Sequence, residues 1–428
     1  MLNVAIVGAG PAGFYTAEAL MRRVGIAVDM IDALPTPYGL IRAGVAPDHQ
    51  SIKAVDRRYH AVLAGGVRFV GDVCVGEAVT LEELMGLYDA VVLATGAPHD
   101  RKLGIAGEDL PGVLGSGAFV SWYNGHPEFA DLAVPLAHPG VAVIGNGNVA
   151  IDCARILAKT PAELAHSDIA AHARTALAGS VVREVHIVGR RGPYQASFTP
   201  KETGELGHLE RAQPRVDPAD LPDASGDAAL EPGLRKVVAS LRAFAAAPPA
   251  GKPVSIAFDF FSRPGGIERA GEALRLTVER TRLEGDRAVG TGVMRTIECG
   301  LIVAAIGYYS APLGDVPFDA ERGRFRNEGG RVADRLYVTG WARRGPSGTI
   351  GTNRPDGIEV AERIVAEAVP GGRAGAAGLD TLLHDRGVRP VTFAGWQAID
   401  AAERAAATHP SPREKFARRD ALRRAAHG

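Results

Sequence analysis

The sequence predicts an α/β protein built from two Rossmann-like domains, one of them inserted into the other. Two observations carry this prediction. A short apolar stretch, a glycine turn and a helical stretch open the chain, and the same pattern recurs after residue 140. The matching segments are VAIVGAGPAG, residues 4–13, and VAVIGNGNVA, residues 141–150. Because such self-similarity indicates a structural duplication, we expect two domains of the same architecture.

Length and composition fit two globular domains. The chain has 428 residues, of which 46% are hydrophobic and 23% charged, and a single hydrophobic core rarely serves a chain of that length. The net charge of -1 argues against bulk attraction to nucleic acid or to an anionic membrane. No apolar run reaches the length of a membrane span, and the glycine turn followed by Glu18 argues against a signal peptide.

The cysteine content argues against several kinds of site. Cys74, Cys153 and Cys299 are far apart in the sequence and form no C-x-x-C pair. We therefore expect no redox-active disulfide, no iron-sulfur cluster and no other metal site. Unpaired cysteines fit a reducing compartment, so the predicted location is the cytoplasm.

The first domain opens with a predicted strand at Leu2–Val7, a helix over residues 14–23 and a strand over residues 27–31. The turn after the first strand follows the G-x-G-x-x-G pattern, and Asp32 lies about 20 residues further on. Such a turn lets a pyrophosphate approach the backbone at a helix N-terminus, and Asp32 is suited to accept hydrogen bonds from a ribose diol. The candidate residues are Gly8, Gly10, Pro11, Ala12, Gly13 and Asp32. The alternative is a turn that only packs.

The remaining elements follow from apolar stretches and turn residues. We expect a helical stretch with an insertion over residues 151–177, and strands at residues 91–96, Glu184–Val188, 254–260, 301–306 and 336–339. The chain is expected to cross between the domains near residues 96–99 and 306–309. The first domain then comprises residues 1–98 and 307–428, with a helical C-terminal extension over 370–428, and the inserted domain comprises residues 99–306.

The second glycine turn is followed by a different kind of side chain. It consists of Gly145, Asn146, Gly147, Asn148 and Val149, with an alanine in place of the third glycine. The next strand ends at Arg190 and Arg191, where the first domain has Asp32. A carboxylate repels a 2′-phosphate, whereas an arginine binds it in bidentate fashion. The pair therefore favours NADPH over NADH, and the alternative is an ordinary solvated arginine pair.

Two unlike sites indicate two unlike cofactors. One site is suited to a ribose 2′-hydroxyl and the other to a 2′-phosphate, and a flavin with a nicotinamide is the natural pair. We therefore predict FAD on the first turn and NADPH on the second, with hydride transfer between their rings. Such transfer needs no covalent nucleophile, so the protein contributes mainly positioning.

Four long motifs resemble one reductase family. They are TPYGLIRAGVAPDH (residues 36–49), VIGNGNVAIDCARIL (143–157), HIVGRRGPYQASFT (186–199) and YVTGWARRGPSGTIGTN (337–353). These segments are similar to the ferredoxin:NADP+ reductases of the adrenodoxin reductase type, and the likeness is weaker over residues 210–293. The resemblance implies two dinucleotide-binding domains of the glutathione reductase-like type. It also implies transfer from NADPH through FAD to a ferredoxin-like iron-sulfur protein, in some systems ahead of a cytochrome P450.

The resemblance also implies functional residues. FAD contacts are implied at Asp32, Gly39, Leu40, Val75, Trp341, Gly348, Thr349 and Ile350. NADP contacts are implied at Arg101, Gly145, Asn146, Gly147, Asn148, Val149, Arg190, Arg191 and Glu202, with Gly348 also near the nicotinamide. His49 and Glu205 match a histidine and a carboxylate proposed to carry protons near the site of hydride transfer. Between the two glutamates, Thr203 and Gly204 stand where the family usually has Leu-Arg.

Each of these residues also has a plainer interpretation. His49 follows a Pro-Asp pair and is also suited to capping a turn. Glu205 taken alone is typical of a surface carboxylate, and Trp341 of a core aromatic residue.

An acidic iron-sulfur partner requires a basic surface on the reductase, which we expect to be a monomer. The candidate groups are Arg57 with Arg58, Arg343 with Arg344, and the helical residues 234–242, and the alternative for each is ordinary solvated charge. Other functions to weigh are a disulfide reductase, which the cysteines argue against, a flavin monooxygenase, a glutamate synthase small subunit and an NADPH-sensing module without turnover.

Overall fold

A computed structural model describes residues Met1–Gly428, which divide into two compact units. The first unit comprises Met1–His99, Asn124–Glu128 and Tyr308–Gly428, and the second comprises Asp100–Tyr123 and Phe129–Gly307. Each unit is built around one six-stranded sheet. This confirms the predicted α/β class with two Rossmann-like units. None of the helices is both long enough and apolar enough to cross a membrane.

The sheet of the first unit places Leu2–Val7 between two parallel neighbours. Val4 pairs with Val28 on one side and with Ala90 on the other. These strands are almost wholly apolar because a parallel sheet is covered on both faces. The strand order is Arg331–Ala333, Leu336–Val338, Ala90–Leu93, Leu2–Val7, Ile26–Ile31 and Arg68–Val70, and only the first pair is antiparallel. Short strands at Tyr308–Tyr309, Phe318–Asp319 and Arg324–Phe325 lie outside this sheet.

The helices of the first unit are Pro11–Leu20, Leu40–Ala43, Gln50–Lys53, Asp56–Ala64, Leu81–Leu87, Trp341–Arg344, Asn353–Glu367, Ala376–Asp385, Phe393–Ala405 and Arg419–His427. The last three form the C-terminal extension. Trp396, Ile399 and Leu422 of that extension belong to the same hydrophobic core as Phe14 of the first helix. The extension is therefore part of the unit's core and not a separate appendage.

The second unit contains a fully parallel sheet with Gly140–Ile144 as an interior strand. The strand order is Val113–Gly115, Leu301–Ala304, Gly140–Ile144, Glu184–Val188, Val254–Asp259 and Ala212–Val216. Its helices are Ser116–Tyr123, Asn148–Ala158, Pro161–Leu164, Ala171–Ala178, Pro200–Glu205 and Pro232–Ala246. The long helical stretch expected from the sequence is thus three separate helices. His99–Asp100 is a short strand at the point where the chain leaves the first unit.

An antiparallel sheet in the second unit was not predicted from the sequence. It consists of Ser262–Ala270, Ala273–Glu284 and Arg287–Cys299. One face is buried, because Leu274, Leu276 and Val278 pack in a cluster with Ile144 and Ile302 of the parallel sheet. The last strand is largely exposed and rich in glycine and charge, which hides its strand character from pattern analysis.

Candidate functional site

The first glycine turn combines two packed glycines with one that faces open space. Gly8 has φ +113°, and a Cβ atom there would lie 2.4 Å from the carbonyl oxygen of Ala94. A Cβ atom at Gly13 would lie 2.2 Å from the carbonyl oxygen of Gly8. A Cβ atom at Gly10 would meet nothing within 4 Å, although Pro11 begins a helix directly after it. Packing therefore accounts for the outer glycines, and the middle glycine leaves room for a ligand at a helix N-terminus.

Asp32 holds the glycine turn in place. Its carboxylate accepts hydrogen bonds from the backbone N–H of Ala9 at 2.6 Å and of Leu34 at 2.8 Å. Burial raises the pKa of this carboxyl group to about 6, despite the opposing effect of the two hydrogen bonds. A carboxylate has about four lone-pair sites, so two remain for a ribose diol.

A second loop crosses the same turn. The N–H of Tyr38 donates to the carbonyl oxygen of Ala9 at 2.8 Å. Gly39 has φ +49°, and a Cβ atom there would lie 2.9 Å from the Cα of Gly10. Leu40, next in the chain, keeps 45% of its surface exposed although it is a large apolar residue. An exposed leucine beside a glycine turn is suited to contact a bound ligand.

The C-terminal extension holds this loop through Trp396. The indole N–H of Trp396 donates to the Tyr38 hydroxyl at 3.3 Å, and the two rings meet edge to face. Trp396 also lies under the guanidinium of Arg42, 5.4 Å from the ring centre. An edge-to-face aromatic pair adds roughly 0.5–1.5 kcal/mol beyond the area it buries, so this contact stabilises the loop conformation.

The same extension supplies a buried carboxylate to the loop, a feature that the sequence did not reveal. Glu403 is fully buried, and Arg42 donates to its two oxygens at 2.8 and 2.5 Å. Arg413 adds a third ion-pair contact at 3.1 Å. Burial raises the pKa of Glu403, but the charges of Arg42 and Arg413 outweigh that effect and hold the pKa below its usual value.

The segment around Trp341 lies beside the first helix. Gly340 has φ +64°, and a Cβ atom there would lie 2.4 Å from the Cβ of Ala12. Trp341 is half-buried, stacks on Tyr308 and donates its indole N–H to the carbonyl oxygen of Ser347 at 3.0 Å. It lies outside the hydrophobic core clusters, so a plain core role does not describe it. Gly348 and Thr349 are exposed, and Ile350 and Val75 are half-buried.

The arginines that follow Trp341 already have carboxylate partners. Arg343 pairs with Glu359 at 2.8 Å, and Arg344 forms an ion pair with Asp356. Both carboxylates lie on the helix Asn353–Glu367. This arrangement makes Arg343 and Arg344 weaker candidates for a docking surface than unpaired basic residues.

The second glycine turn repeats the geometry of the first. Gly145 has φ +149°, and a Cβ atom there would lie 2.2 Å from the carbonyl oxygen of Ala305. Gly147 faces open space, since a Cβ atom there would meet nothing within 4 Å. The side-chain oxygen of Asn146 is buried without a hydrogen-bond partner, and that of Asn148 accepts the N–H of Thr199 at 2.8 Å. An unsatisfied buried acceptor beside an open glycine indicates a place for a hydrogen-bonding ligand.

Two arginines near the second turn are unpaired. Arg190 is exposed and Arg191 is half-buried, and neither guanidinium forms an ion pair. Glu202, in the first turn of the helix Pro200–Glu205, has one buried carboxylate oxygen without a hydrogen-bond partner. Val149 and Arg101 are both half-buried, and the N–H of Arg101 donates to the carbonyl oxygen of Gly307 at 2.9 Å. Two free guanidiniums at a strand end are suited to a phosphate.

The two residues expected to carry protons belong to different units. His49 is buried just before the helix Gln50–Lys53, and its side chain makes no capping hydrogen bond. Glu205 is 29% exposed and lies 3.4 Å from Nε of Arg155, a guanidinium that is 1% exposed. The structure therefore places His49 in a buried position of one unit and Glu205 in a partly exposed position of the other. The helix that ends at Glu205 forms despite the unusual Thr203, whose buried hydroxyl donates to the carbonyl oxygen of Thr199.

Fold and site together define a class of protein. Each unit has a glycine turn at the carboxyl end of an interior strand of a parallel sheet, with the middle glycine facing open space. This is the arrangement of an α/β protein that binds two dinucleotides. The three cysteines, Cys74, Cys153 and Cys299, are unpaired in this structure.

Comparisons with known proteins identify the family. The pyridine nucleotide-disulphide oxidoreductase model matches residues 2–206. The NADPH-ferredoxin reductase FprA of Mycobacterium leprae (strain TN) is 40% identical over 449 residues, which cover 100% of this chain and 98% of that protein. The mitochondrial NADPH:adrenodoxin oxidoreductase of Homo sapiens is 40% identical over 442 residues, covering 97% and 90%. The structure of Mycobacterium tuberculosis FprA in complex with NADPH matches with a TM-score of 0.95 and 38% identity over 100% of both chains. This chain therefore belongs to the NADPH-ferredoxin and NADPH:adrenodoxin reductase family, as its motifs predicted.

Proposed function

We propose that this protein is an FAD-dependent NADPH:ferredoxin reductase. The observation that carries the proposal is the contrast between the two glycine turns, one followed by Asp32 and the other by the unpaired Arg190 and Arg191. When bound, FAD would supply the chemistry that links hydride transfer from NADPH, a two-electron step, to single-electron transfer to an iron-sulfur protein. The protein's own task is to bind and orient both cofactors.

In the first unit, the residues around the glycine turn hold FAD. The open face at Gly10 receives the pyrophosphate, and Asp32 accepts hydrogen bonds from the adenosine ribose. The loop at Gly39 and Leu40 covers the turn. Val75, another proposed contact, is held by an isolated β-bridge to Val79. The other proposed FAD contacts are Gly8, Pro11, Ala12, Gly13, Trp341, Gly348, Thr349 and Ile350.

In the second unit, the residues around the other turn hold NADPH. The open face at Gly147 receives the pyrophosphate, and Arg190 and Arg191 bind the 2′-phosphate. Each charge-assisted hydrogen bond contributes about 1.5–3 kcal/mol, which is enough to favour NADPH over NADH strongly. The other proposed NADP contacts are Arg101, Gly145, Asn146, Asn148, Val149 and Glu202, with Gly348 toward the nicotinamide.

His49 and Glu205 hold protons in this proposal. His49 is a buried imidazole on the unit assigned to FAD. The carboxylate of Glu205 is oriented by the buried Arg155 on the unit assigned to NADP. These surroundings support a fixed orientation for each group.

The proposed partner is an acidic ferredoxin-like protein that binds a basic surface. The helix Pro232–Ala246 is the favoured surface, because Arg235 and Lys236 are exposed and neither forms an ion pair. Arg242 on the same helix is paired with Asp227, and Arg58 is paired with Glu18, so these contribute less. We further propose that the protein acts as a monomer in the cytoplasm, where its unpaired cysteines stay reduced.

NADPH-dependent cytochrome c reduction with a panel of ferredoxins tests this function. We expect strong ferredoxin dependence that weakens with salt, because the screening length falls from about 10 Å at 0.1 M to about 3 Å at 1 M. The double variant R235A/K236A should lose most of the salt dependence. The variant Arg275→Ala removes an exposed arginine of the same unit and should keep it. Protein that stays colourless with added FAD would overturn the reductase in favour of a sensing module.

A further inference from the structure

The backbone that carries Arg190 and Arg191 is tied down at three consecutive carbonyl oxygens. The N–H of Ser262 donates to the carbonyl oxygen of Gly189 at 2.8 Å. The hydroxyl of Thr281 donates to that of Arg190 at 2.8 Å. The N–H of Phe261 donates to that of Arg191 at 3.2 Å. These three donors come from the antiparallel sheet or the turn that leads into it, and the side-chain amide of Asn146 adds a longer bond to the carbonyl oxygen of Arg191 at 3.4 Å. The sheet therefore supplies most of the bonds that fix the place from which both guanidiniums extend.

The sheet is shaped to present these donors. Phe261 has φ +51°, a left-handed conformation that is costly for an aromatic residue and that persists only where its surroundings impose it. Its carbonyl oxygen accepts the N–H of Thr281 at 2.8 Å. The pairing of Ala273–Glu284 with the next strand shifts register between Glu279 and Thr281. Thr281 is 3% exposed, so its hydroxyl is held among packed neighbours and not in solvent.

The ring of Phe261 also packs against Gly192, the residue that follows the arginine pair. A Cβ atom at Gly192 would lie 2.3 Å from the ring, so the residue after the arginine pair has no room for a side chain. The guanidinium of Arg280 lies over the same ring, 5.2 Å from its centre, and pairs with Asp220 at 2.5 Å. Arg280 is therefore engaged and leaves phosphate binding to Arg190 and Arg191.

We propose that Thr281 is a positioning residue that sets the preference for a 2′-phosphorylated nicotinamide cofactor. The proposal rests on the assignment of Arg190 and Arg191 to the 2′-phosphate. Two of the bonds to this backbone come from side chains, those of Thr281 and Asn146. Asn146 is itself a proposed NADP contact, so Thr281 is the side chain whose bond can be removed without changing a residue assigned to the cofactor. Bidentate binding of phosphate depends on the orientation of the guanidinium plane, and an untethered carbonyl at Arg190 widens the range of orientations. A cofactor without the 2′-phosphate makes no use of that orientation.

The test compares NADPH with NADH in the FAD-loaded enzyme. Thr281→Val keeps the shape of the side chain and removes the hydroxyl. We expect the NADPH-to-NADH ratio of kcat/KM to fall about threefold to tenfold, the equivalent of one lost hydrogen bond. Thr281→Ser retains the hydroxyl and should restore the ratio. Thr277→Val, on the same strand but with no side-chain hydrogen bond, should leave it unchanged.

A binding measurement separates positioning from general damage. Titration with 2′,5′-ADP should show weaker binding to Thr281→Val by a similar factor, whereas 5′-ADP should bind as to the wild type. If Thr281→Val does not fold, Thr281→Ala carries the same expectation. A ratio unchanged in the folded variant, or a loss shared equally by NADPH and NADH, would overturn the proposal.

The double variant R190A/R191A tests separately the assignment of Arg190 and Arg191 to the 2′-phosphate, on which the role of Thr281 depends. We expect that variant to abolish most of the preference for NADPH. If it does so while Thr281→Val has no effect, only the role of Thr281 is wrong. If it leaves the ratio intact, the phosphate site itself is wrong and the inference falls with it.

Discussion

Replacing Glu403 by glutamine removes the one negative charge that Arg42 and Arg413 share. Glutamine has nearly the same shape, so the change leaves Arg42 without an ion-pair partner beside a neutral amide in a fully buried position, whereas Arg413 keeps its pair with Asp400 at 2.7 Å. Removing one partner of a buried ion pair typically costs about 3–5 kcal/mol. For a unit of this size, each kcal/mol lowers the melting temperature by about 2–4 °C. We therefore expect a decrease of roughly 6–20 °C in the melting temperature of the first unit.

The loss of stability should also weaken FAD binding, because Arg42 lies in the short helix after Gly39. Two measurements during heating separate flavin release from unfolding. Flavin fluorescence rises when FAD leaves the protein, and circular dichroism follows the loss of secondary structure. We expect flavin release from Glu403→Gln at a lower temperature than from the wild type. Glu362→Gln makes the same chemical change at an exposed position of the same unit and should melt as the wild type does.

The lowered pKa of Glu403 determines how the stability difference between wild type and Glu403→Gln changes with pH. The pKa of Glu403 is lowered in the folded state, so the unfolded state binds the proton more readily. The stabilising contribution is therefore complete above the unfolded pKa of about 4.3 and is lost as the pH falls toward the lower folded value. The difference in unfolding free energy between wild type and Glu403→Gln should be constant from about pH 6 to about pH 8 and shrink below about pH 4.5. A Glu403→Gln variant that melts together with Glu362→Gln would refute the reasoning.

Two further predictions concern the first glycine turn. Gly10→Val should fold with a normal circular dichroism spectrum and contain no flavin, because the new side chain fills the open space proposed for the pyrophosphate. Normal flavin content in this variant would contradict the FAD placement. Gly13→Ala should instead lose about 1–3 kcal/mol of stability, because its methyl group clashes with the carbonyl oxygen of Gly8. The apoprotein should become less stable relative to Asp32→Asn as the pH rises from about 4 to about 6, because the folded pKa of Asp32 is raised to about 6 and the folded state binds the extra proton. Urea unfolding of both apoproteins across that range checks the slope, and a flat difference would show that Asp32 is not desolvated.

Sequence reasoning predicted the fold correctly where an element depends on residues close together in the chain. The interval from Gly8 to Asp32 is one strand-turn-helix-strand unit, and its pattern predicts both the fold and the turn. The pattern did not predict that Asp32 accepts the N–H of Ala9, because that bond depends on the strand pairing. Nor did it separate paired from unpaired arginines, since Arg343 and Arg344 meet their carboxylates only after the helix Asn353–Glu367 packs beside them.

The antiparallel sheet shows a different limit. Its strands carry charged residues and glycines on the exposed face, so their apolar alternation is broken. What makes them strands is pairing with each other and burial of one face on the parallel sheet. Strand propensity of this kind depends on neighbours that a single sequence does not display.

The supports of the two sites come from distant parts of the chain. Arg42 and Glu403 are 361 residues apart, and Thr281 and Arg190 are 91 residues apart. In both cases a residue that would contact the cofactor stands on a loop, and a long-range polar contact from another element fixes that loop. A site built this way loses precision when the support is changed, even though no ligand contact is removed. Changes in FAD retention and in NADPH preference should therefore arise as readily from the C-terminal extension and the antiparallel sheet as from the glycine turns themselves.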